Sequence, residues 1–340
     1  MGRRTGVRRG WVVTGLATIV AVSVVASGLA TPPGANGRIA FTRYTGVGRT
    51  TGAIFTIAPN GGGERQVTRP QVGQIDFQPD WSRDGTRIVF VRQFSDKPHE
   101  TWTVKPDGTD LRQVDPGCPR DFPNAEVCEE VQPAWSPDRR RLAFAWAYPK
   151  EKFVRGEPWI EVSGIAVMGA DGSSVRQLTQ LKRPTSSEDS GPVWAPDGRQ
   201  IAFVRENSTA RPLGGRAIFV VNVDGSGLRS ITPWKLHAGD HPDWSPDGKR
   251  ILFRSPTYEF ARSNLWTVRR DGTDLKQLTR FPAATEVLSA SYSPDGAWVV
   301  FSKTGRAGLP DLFAIRANGT GLRQLTRTNT WESAPDWGPR

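Results

Sequence analysis

The sequence predicts an all-β protein, a six-bladed β-propeller with four antiparallel strands in each blade. A strand–turn–strand motif such as Pro242-Asp243-Trp244-Ser245-Pro246-Asp247-Gly248 recurs along the chain, and a second hairpin follows each copy. Two hairpins make four strands, and the repeat length of roughly 45–60 residues is that of propeller blades. The chain also ends on half a motif, which allows a ring to close.

The first motif suits a tight hairpin. In Ser-Pro-Asp-Gly, Pro presets φ, Asp bonds to its own backbone and Gly accepts a left-handed conformation. The run after it, such as Ile251-Leu252-Phe253, has the β-branched and aromatic content of a buried strand. The aromatic residues of the motif are Trp81, Trp135, Trp194, Trp244, Tyr292 and Trp337.

The second motif is a hairpin with an Asp-Gly or Asn-Gly turn and a tail close to Gln-Leu-Thr. In Leu265–Thr279 it reads as a strand, the turn Asp271-Gly272 and another strand. The other turns are Asn60-Gly61, Asp107-Gly108, Asp171-Gly172, Asp224-Gly225 and Asn318-Gly319.

The two chain ends carry complementary halves of the repeat. The C-terminal Pro335-Asp336-Trp337 is a first half, and Ile39-Ala40-Phe41 near the start is a second half. We therefore expect the C-terminal strand to join the N-terminal blade and to leave no free sheet edge.

On these motifs the chain resembles the TolB-type six-bladed β-propellers, whose WD40-like PD40 repeats carry both hairpins. The resemblance covers nearly all of residues 36–340, and it implies the propeller fold. The helical N-terminal domain of TolB has no counterpart, since the first predicted strand follows Ala35 almost at once.

Residues 1–30 are predicted to be a signal peptide or an N-terminal membrane anchor, and residues 31–340 the propeller. Arginines at positions 3, 4, 8 and 9 precede an apolar run from Trp11 to Leu29, and small residues around Ala30 suit a signal peptidase. The run is almost long enough to span a bilayer, so both interpretations stay open, as do Sec and twin-arginine export. We expect the protein in the periplasm, in the cell envelope or outside the cell.

The two cysteines, Cys118 and Cys128, lie in one predicted loop between blades. A nearby pair in an exported protein is typical of a disulfide. The formal charge of +11 fits an Arg-rich surface. The sequence has no nucleic-acid motif, so we expect no nucleic-acid partner.

Acidic residues precede each predicted innermost strand, where the channel mouth should be. They are Asp76, Glu130, Asp189, Asp240, Glu286 and Glu332. Basic residues on the loops farther out, such as Arg43, Arg92 and Arg205, predict a basic rim around this acidic centre. The alternative is that each acid bonds locally to turn N–H groups. No metal site is predicted, although calcium is the cation that such an all-oxygen mouth would suit.

Two further groups are candidate binding residues. His237 and His241 flank Asp240 and suggest acid–base or metal chemistry, or hydrogen-bonded loop residues. The long predicted loop 146–159 carries Tyr148, Phe153 and Trp159, which suit either a partner-binding flap or a cover over its own blade.

Catalytic motifs are absent from the sequence: it has neither a Gly-x-Ser-x-Gly elbow nor a phosphate-binding loop. The leading interpretation is a monomeric, non-enzymatic, exported propeller without a cofactor. It binds a protein or an envelope polymer through its variable loop face, and meets a membrane only if residues 1–30 are retained. The alternative is a carbohydrate-active or other hydrolase or lyase at the acidic mouth.

Overall fold

The computed structural model of the 340-residue chain describes most of the region expected to be the propeller. The described residues are 34–45, 49–95, 98–114, 129–149, 161–179, 187–207, 215–239, 241–256, 263–304 and 308–340. Within them the structure is β-strand and turn, with a short 3-10 helix at Trp234–Leu236.

Twenty-four strands in these residues, numbered in chain order, form six antiparallel arrays of four strands. Array 1 contains β24 (Trp331–Pro339), β1 (Asn36–Thr45), β2 (Thr51–Ile57) and β3 (Arg65–Gln66). Array 2 contains β4 (Ile75–Trp81), β5 (Ile88–Gln93), β6 (Glu100–Val104) and β7 (Arg112–Val114). Array 3 contains β8 (Glu129–Trp135), β9 (Arg141–Pro149), β10 (Glu161–Gly169) and β11 (Arg176–Gln177).

The remaining three arrays follow the same order. Array 4 contains β12 (Ser187–Trp194), β13 (Gln200–Asn207), β14 (Gly215–Asn222) and β15 (Arg229–Ser230). Array 5 contains β16 (Asp243–Trp244), β17 (Arg250–Ser255), β18 (Asn264–Arg269) and β19 (Lys276–Gln277). Array 6 contains β20 (Val287–Tyr292), β21 (Trp298–Thr304), β22 (Pro310–Arg316) and β23 (Arg323–Gln324).

Arrays 3 to 6 are separate four-stranded sheets, whereas arrays 1 and 2 are joined into one sheet of eight strands. A single parallel pair, Gly52 with Ile75, makes the connection. Glycine permits this approach, because a Cβ at position 52 would stand 2.7 Å from a methyl carbon of Ile75. Arrays 1 and 2 are therefore not two separate sheets, as six separate blades would require. The overall arrangement is that of a β-propeller.

The ring closes through the two chain ends, as the sequence predicts. β24 pairs antiparallel with β1, with Ile39 opposite Trp337 and Ala40 opposite Asp336. The edge that β1 would otherwise expose is thereby covered by the C-terminal strand.

The core lies between neighbouring arrays, in six hydrophobic clusters that each join two of them. The second strand of every array contributes one phenylalanine whose side chain is at most 1% exposed. These residues are Phe41, Phe90, Phe144, Phe203, Phe253 and Phe301. Because each side chain packs in the same place, the repeated sequence produces a ring of equivalent contacts.

The structure explains the two motifs physically. In the first turn, Gly85, Gly198, Gly248 and Gly296 have φ of 68–69°, the left-handed conformation expected from the sequence. In the Gln-Leu-Thr tail, the Thr hydroxyl accepts a hydrogen bond from the third strand, as from Ile54 N–H to Thr68 and from Leu265 N–H to Thr279. The tail thus holds the short fourth strand against its array.

The segment 1–30 and its predicted targeting role lie outside the described residues. Among the residues that the structure does describe, no helix has the length and apolar character required to cross a membrane.

Candidate functional site

The centre of the ring is built from kinks in the innermost strands. The registers of β4, β8, β12 and β20 each shift by one residue just before or at the motif Pro or its equivalent, which is a β-bulge. Proline has no N–H for the ladder, so an interruption at this point costs little pairing. The residue before the motif Pro takes a left-handed conformation, with φ of 49–59° at Gln78, Gln132, Gly191, His241 and Ala334.

Six chain segments each supply three consecutive residues to a narrow central cavity of about 70 Å³. The first residue of each triplet varies around the ring, apart from the two neighbouring glutamines. These first residues are Gln78, Gln132, Gly191, His241, Ser289 and Ala334. Farther along the channel the wall repeats, since five Trp and Tyr292 line a second cavity of about 200 Å³ next to the short turns.

Three half-buried carboxylates, Asp80, Asp243 and Asp336, line both cavities. Each accepts a hydrogen bond from the backbone N–H of the motif aromatic in the next array around the ring. The distances are 2.8 Å from Trp135 to Asp80, 2.6 Å from Tyr292 to Asp243 and 2.7 Å from Trp81 to Asp336. The carboxylates therefore connect neighbouring arrays, which is a structural role.

The other three junctions use different partners at the same place. The Ser291 hydroxyl accepts from Trp337 N–H at 3.3 Å. Where Ala134 and Val193 replace the acid, the indole N–H of Trp194 or Trp244 donates to their carbonyl oxygens at 3.2 and 3.3 Å. Every junction is hydrogen-bonded, and a carboxylate also takes part at the junction of arrays 6 and 1, where the Ser291 hydroxyl donates to Asp336 at 2.9 Å.

Burial is the main cause of an upward pKa shift at all three acids. It raises the pKa of Asp243 to about 7, and the neighbouring charge of Asp336 adds to this while the N–H donors oppose it. Burial and the charge of Asp336 also raise the pKa of Asp80 well above its usual range, and burial raises that of Asp336.

The sign of the resulting pH dependence follows from linkage. A carboxyl with a raised pKa in the folded state binds its proton more tightly there than in the unfolded chain, so this contribution to stability is lost as pH rises from about 4 to about 7. We expect Asp243→Asn, which does not titrate, to gain stability relative to the wild type from pH 5 to about pH 7, by up to about 1.4 kcal/mol per pH unit, and the difference to level off above that. Urea unfolding at several pH values measures this, and two parallel stability profiles would contradict it.

Three of the acids predicted from the sequence are buried in cross-strand ion pairs with arginines. Asp76 bonds to Arg92 through both oxygens at 2.6 and 2.8 Å, and Asp189 to Arg205 at the same two distances. Glu332 bonds to Arg43 at 2.5 Å.

The three carboxylates are fully buried, and none of them lines the central cavity. Arg43, Arg92 and Arg205, which were expected on a basic rim, therefore each neutralise one of these three acids. For these three acids the partners are arginine side chains and not turn N–H groups, and a role of the acids in binding stays a prediction.

The other three acids are placed differently. Glu286 is half-buried, and burial raises its pKa while the charge of Arg254 opposes the shift. Glu130 belongs to β8, but its side chain lies outside the described residues, as does all of Asp240. Their convergence at one mouth stays a prediction.

The predicted histidine pair is divided by the structure. His241 lines the central cavity, and its Nε2 lies 3.5 Å from the Gln78 amide nitrogen. His237 ends the 3-10 helix with φ of 49° and is not among the cavity residues. The structure therefore assigns only His241, of the two, to the channel.

The remaining candidates lie wholly or partly outside the description. Tyr148 is in β9, but its side chain is not described, and Phe153, Trp159, Cys118 and Cys128 fall outside the described residues. The loop and the disulfide stay predictions. Within the described ranges no group of three or more His, Cys, Asp or Glu is placed to hold a metal ion, so calcium binding has no described ligand set.

Sequence reasoning missed the carboxylates that the channel does bring together. Their signal was present in the repeat itself: the residue between the motif Pro and the aromatic is Asp at 80, 243 and 336, but Ala134, Val193 or Ser291 elsewhere. Asp at three of six equivalent motif positions, with small or apolar residues at the other three, indicates an interior position where a carboxyl can be hydrogen-bonded.

The comparisons with known proteins agree with this fold. The family model described as the TolB β-propeller domain, PD40, matches residues 165–340. The solved structure of TolB from Acinetobacter baumannii is similar with a TM-score of 0.64 over 89% of this chain and 67% of that one, at 18% identity. At that identity the likeness concerns the fold alone.

Two curated relatives extend the comparison. The chain is 27% identical over 216 residues to the "uncharacterized peptidase YuxL" of Bacillus subtilis, covering 52% of this chain and 30% of the relative. It is 39% identical over 82 residues to the Tol-Pal system protein TolB of Zymomonas mobilis, covering 24% of this chain and 16% of the relative. The chain thus spans less than a third of either curated relative.

Proposed function

Because the chain belongs to the TolB β-propeller family, we propose that it is an exported, monomeric, six-bladed propeller without enzymatic activity. It binds a segment of a partner protein at the channel mouth lined by Gln78 and His241. Each array then counts as one blade, with arrays 1 and 2 touching through the single pair Gly52–Ile75. The six triplets around the central cavity support this count.

One observation carries the binding proposal: the repeat keeps its aromatic wall but changes the residue at the mouth. Two amides, an imidazole, a hydroxyl, a methyl group and a glycine occupy six equivalent positions there. The side chains of Gln132 and Ser289 accept from the N–H groups of Gly191 and Ala334 in the next array. The variety of the remaining groups suits an irregular polypeptide, which offers different groups to each blade. One curated relative is a protein of the Tol-Pal system, and this supports a protein partner in the cell envelope.

The test is site-specific photo-crosslinking in the native cell envelope. We expect a photoreactive amino acid at Gln78 to give a discrete adduct with a polypeptide. The same probe at the exposed turn residue Thr109 is the matched control and should give none. Excess unlabelled protein should suppress the adduct. Equal adducts from both positions, or none from Gln78, would overturn the mouth as the binding site.

The enzymatic alternative has one specific support, the converging carboxylates with raised pKa values. A peptidase among the relatives points the same way, although the chain covers only 30% of its length. Against this, each of the three acids accepts a hydrogen bond from a backbone N–H of the next array, which gives it a structural partner. Release of reducing ends from envelope polysaccharide by the wild type, but not by Asp243→Asn, would favour the enzyme.

A further inference from the structure

A cleft lies between arrays 2 and 3 on the face of the short turns. Its volume is about 450 Å³, within the range of small-molecule sites. Three guanidinium groups line it, those of Arg87, Arg112 and Arg139, together with the side chains of Thr86 and Gln113. The cleft is separate from the central channel.

Comparison with the junction between arrays 4 and 5 explains why the cleft is open. There Arg270 donates to Gln200 at 2.8 Å and to Asp197 at 2.7 Å, and its guanidinium lies over the Trp244 ring. The corresponding residue of array 3 is Ala170, since Ala170 N–H bonds to the Arg140 carbonyl as Arg270 N–H bonds to that of Lys249. Ala170 thus leaves empty the space that Arg270 fills at the junction between arrays 4 and 5, while arrays 4 and 6 have Val223 and Ala317 at this position.

The second distinguishing feature is Arg139 itself. It occupies the left-handed turn position with φ of 61°, where four other first-motif turns have glycine. Its N–H makes the same turn hydrogen bond, to Ser136, that Gly85 makes to Ser82. A bulky residue at this φ is strained, and such strain persists where a side chain serves a purpose. The guanidinium reaches across the junction to Asp84 of array 2.

The guanidiniums retain donors for a ligand. Arg112 bonds through Nε to Asp110 at 2.5 Å and Arg139 through one nitrogen to Asp84, and both side chains are more than half exposed. Asp110 is shared with Arg87 at 2.7 Å and with Lys105 at 3.9 Å. Asp171 accepts from Ser173 in its own turn. Of the charged residues that line the cleft, Arg87, Arg112 and Arg139 are cationic and only Asp171 is acidic.

We propose that this cleft binds a multivalent oxyanion, held between Arg112 on β7 and Arg139 on the facing turn. Guanidinium groups suit carboxylate and phosphate because two parallel N–H donors match two oxygens. The amide of Gln113 supplies a further N–H donor group, whereas the Thr86 hydroxyl already donates to Asp84. The net charge of +11 favours the approach of acidic ligands to the whole protein.

Calorimetric titration of the purified protein with citrate and, separately, with inorganic phosphate tests the proposal at low ionic strength. We expect saturable binding of one equivalent, weakened by added NaCl. The stronger of the two probes identifies carboxylate or phosphate as the preferred group. Absence of saturable binding to either probe would overturn the proposal.

Three variants make the assignment specific. Arg139→Gly restores the usual turn residue, so it should fold, and we expect affinity to fall about tenfold or more. Ala170→Arg should fill the cleft as Arg270 does and abolish binding. Arg140→Ala, which removes the same charge from the adjacent exposed position, is the matched control and should bind like the wild type. An equal loss in Arg140→Ala would mean diffuse attraction to a basic surface and would refute the site. Crosslinking from Gln78 should not change in any of them.

Discussion

Deletion of residues 332–340 is expected to abolish cooperative folding at moderate temperature. The deletion removes nearly all of β24 and so leaves β1 with an unpaired edge. It also removes Trp337, whose side chain is 4% exposed in the cluster between arrays 6 and 1. Loss of a buried Trp side chain alone costs about 3–5 kcal/mol, which is a large part of the stability of a typical domain.

The deletion removes two polar contacts as well. Asp336 no longer accepts from Trp81 N–H, and Arg43 loses the buried partner Glu332. Thermal unfolding followed by circular dichroism measures the effect. Removal of Arg340 alone is the control and should shift the midpoint by only a few degrees at most, because this residue is exposed and follows the strand. A deletion protein that melts like the control would show that the ring does not depend on this closure.

A point substitution separates packing from chain length. We expect Trp337→Ala to lower the free energy of unfolding by about 3–5 kcal/mol while leaving β24 able to pair. The deletion should then be more severe than this variant, since it removes both the side chain and the strand. Equal effects would mean that the strand pairing itself contributes little.

The sequence was sufficient to predict the strands, the turns and the closure, because each depends on local chemistry or on a repeated pattern. Asp-Gly turns and Pro-x-Trp hairpins require few long-range contacts to be recognised. The joining of arrays 1 and 2 was not predictable in this way. It depends on how closely Gly52 approaches Ile75, which is fixed by the packing of two arrays.

The individual arginine partners of the buried acids could not be assigned from the sequence, for a more specific reason. Counted back from the turn, where Trp194 faces Ile201, a regular hairpin would place Asp189 opposite Glu206. The bulge between Ser190 and Val193 shifts the register by one residue and places Asp189 opposite Arg205 instead. A single extra residue thus exchanges a repulsive pair for an attractive one. Knowledge of the hairpin without its bulge gives the wrong partner.

This pairing changes what the acids can be used to test. Neutralising Asp76, Asp189 and Glu332 together would remove three buried ion pairs rather than an exposed acidic field. Any loss of partner binding in such a variant would follow from damage to the fold. Variants at Gln78 or His241 test the mouth without that complication, because neither takes part in these pairs.

The buried pairs should respond very differently to loss of one partner and to loss of both. In Arg205→Ala, Asp189 keeps the Thr179 hydroxyl at 2.5 Å but loses its counter-charge while fully buried. We expect a loss of about 3–5 kcal/mol in the free energy of unfolding. The double variant Asp189→Leu/Arg205→Met replaces the pair with apolar side chains and should lie much closer to the wild type.

The pH dependence of Arg205→Ala identifies the cause of its instability. Burial raises the pKa of Asp189 even with Arg205 present, and removal of the guanidinium should raise it further. The carboxyl then takes up a proton as pH falls, so the deficit relative to the wild type should shrink from pH 8 to pH 5. The exposed pair Lys249–Asp247, at 3.4 Å, supplies the control: Lys249→Ala should cost less than about 1 kcal/mol at any pH in this range. The guanidinium of Arg205 lies over the rings of Phe203 and Phe219. If the stability deficit of Arg205→Ala stays constant with pH, the loss comes from this packing of the arginine side chain and not from the charge of Asp189.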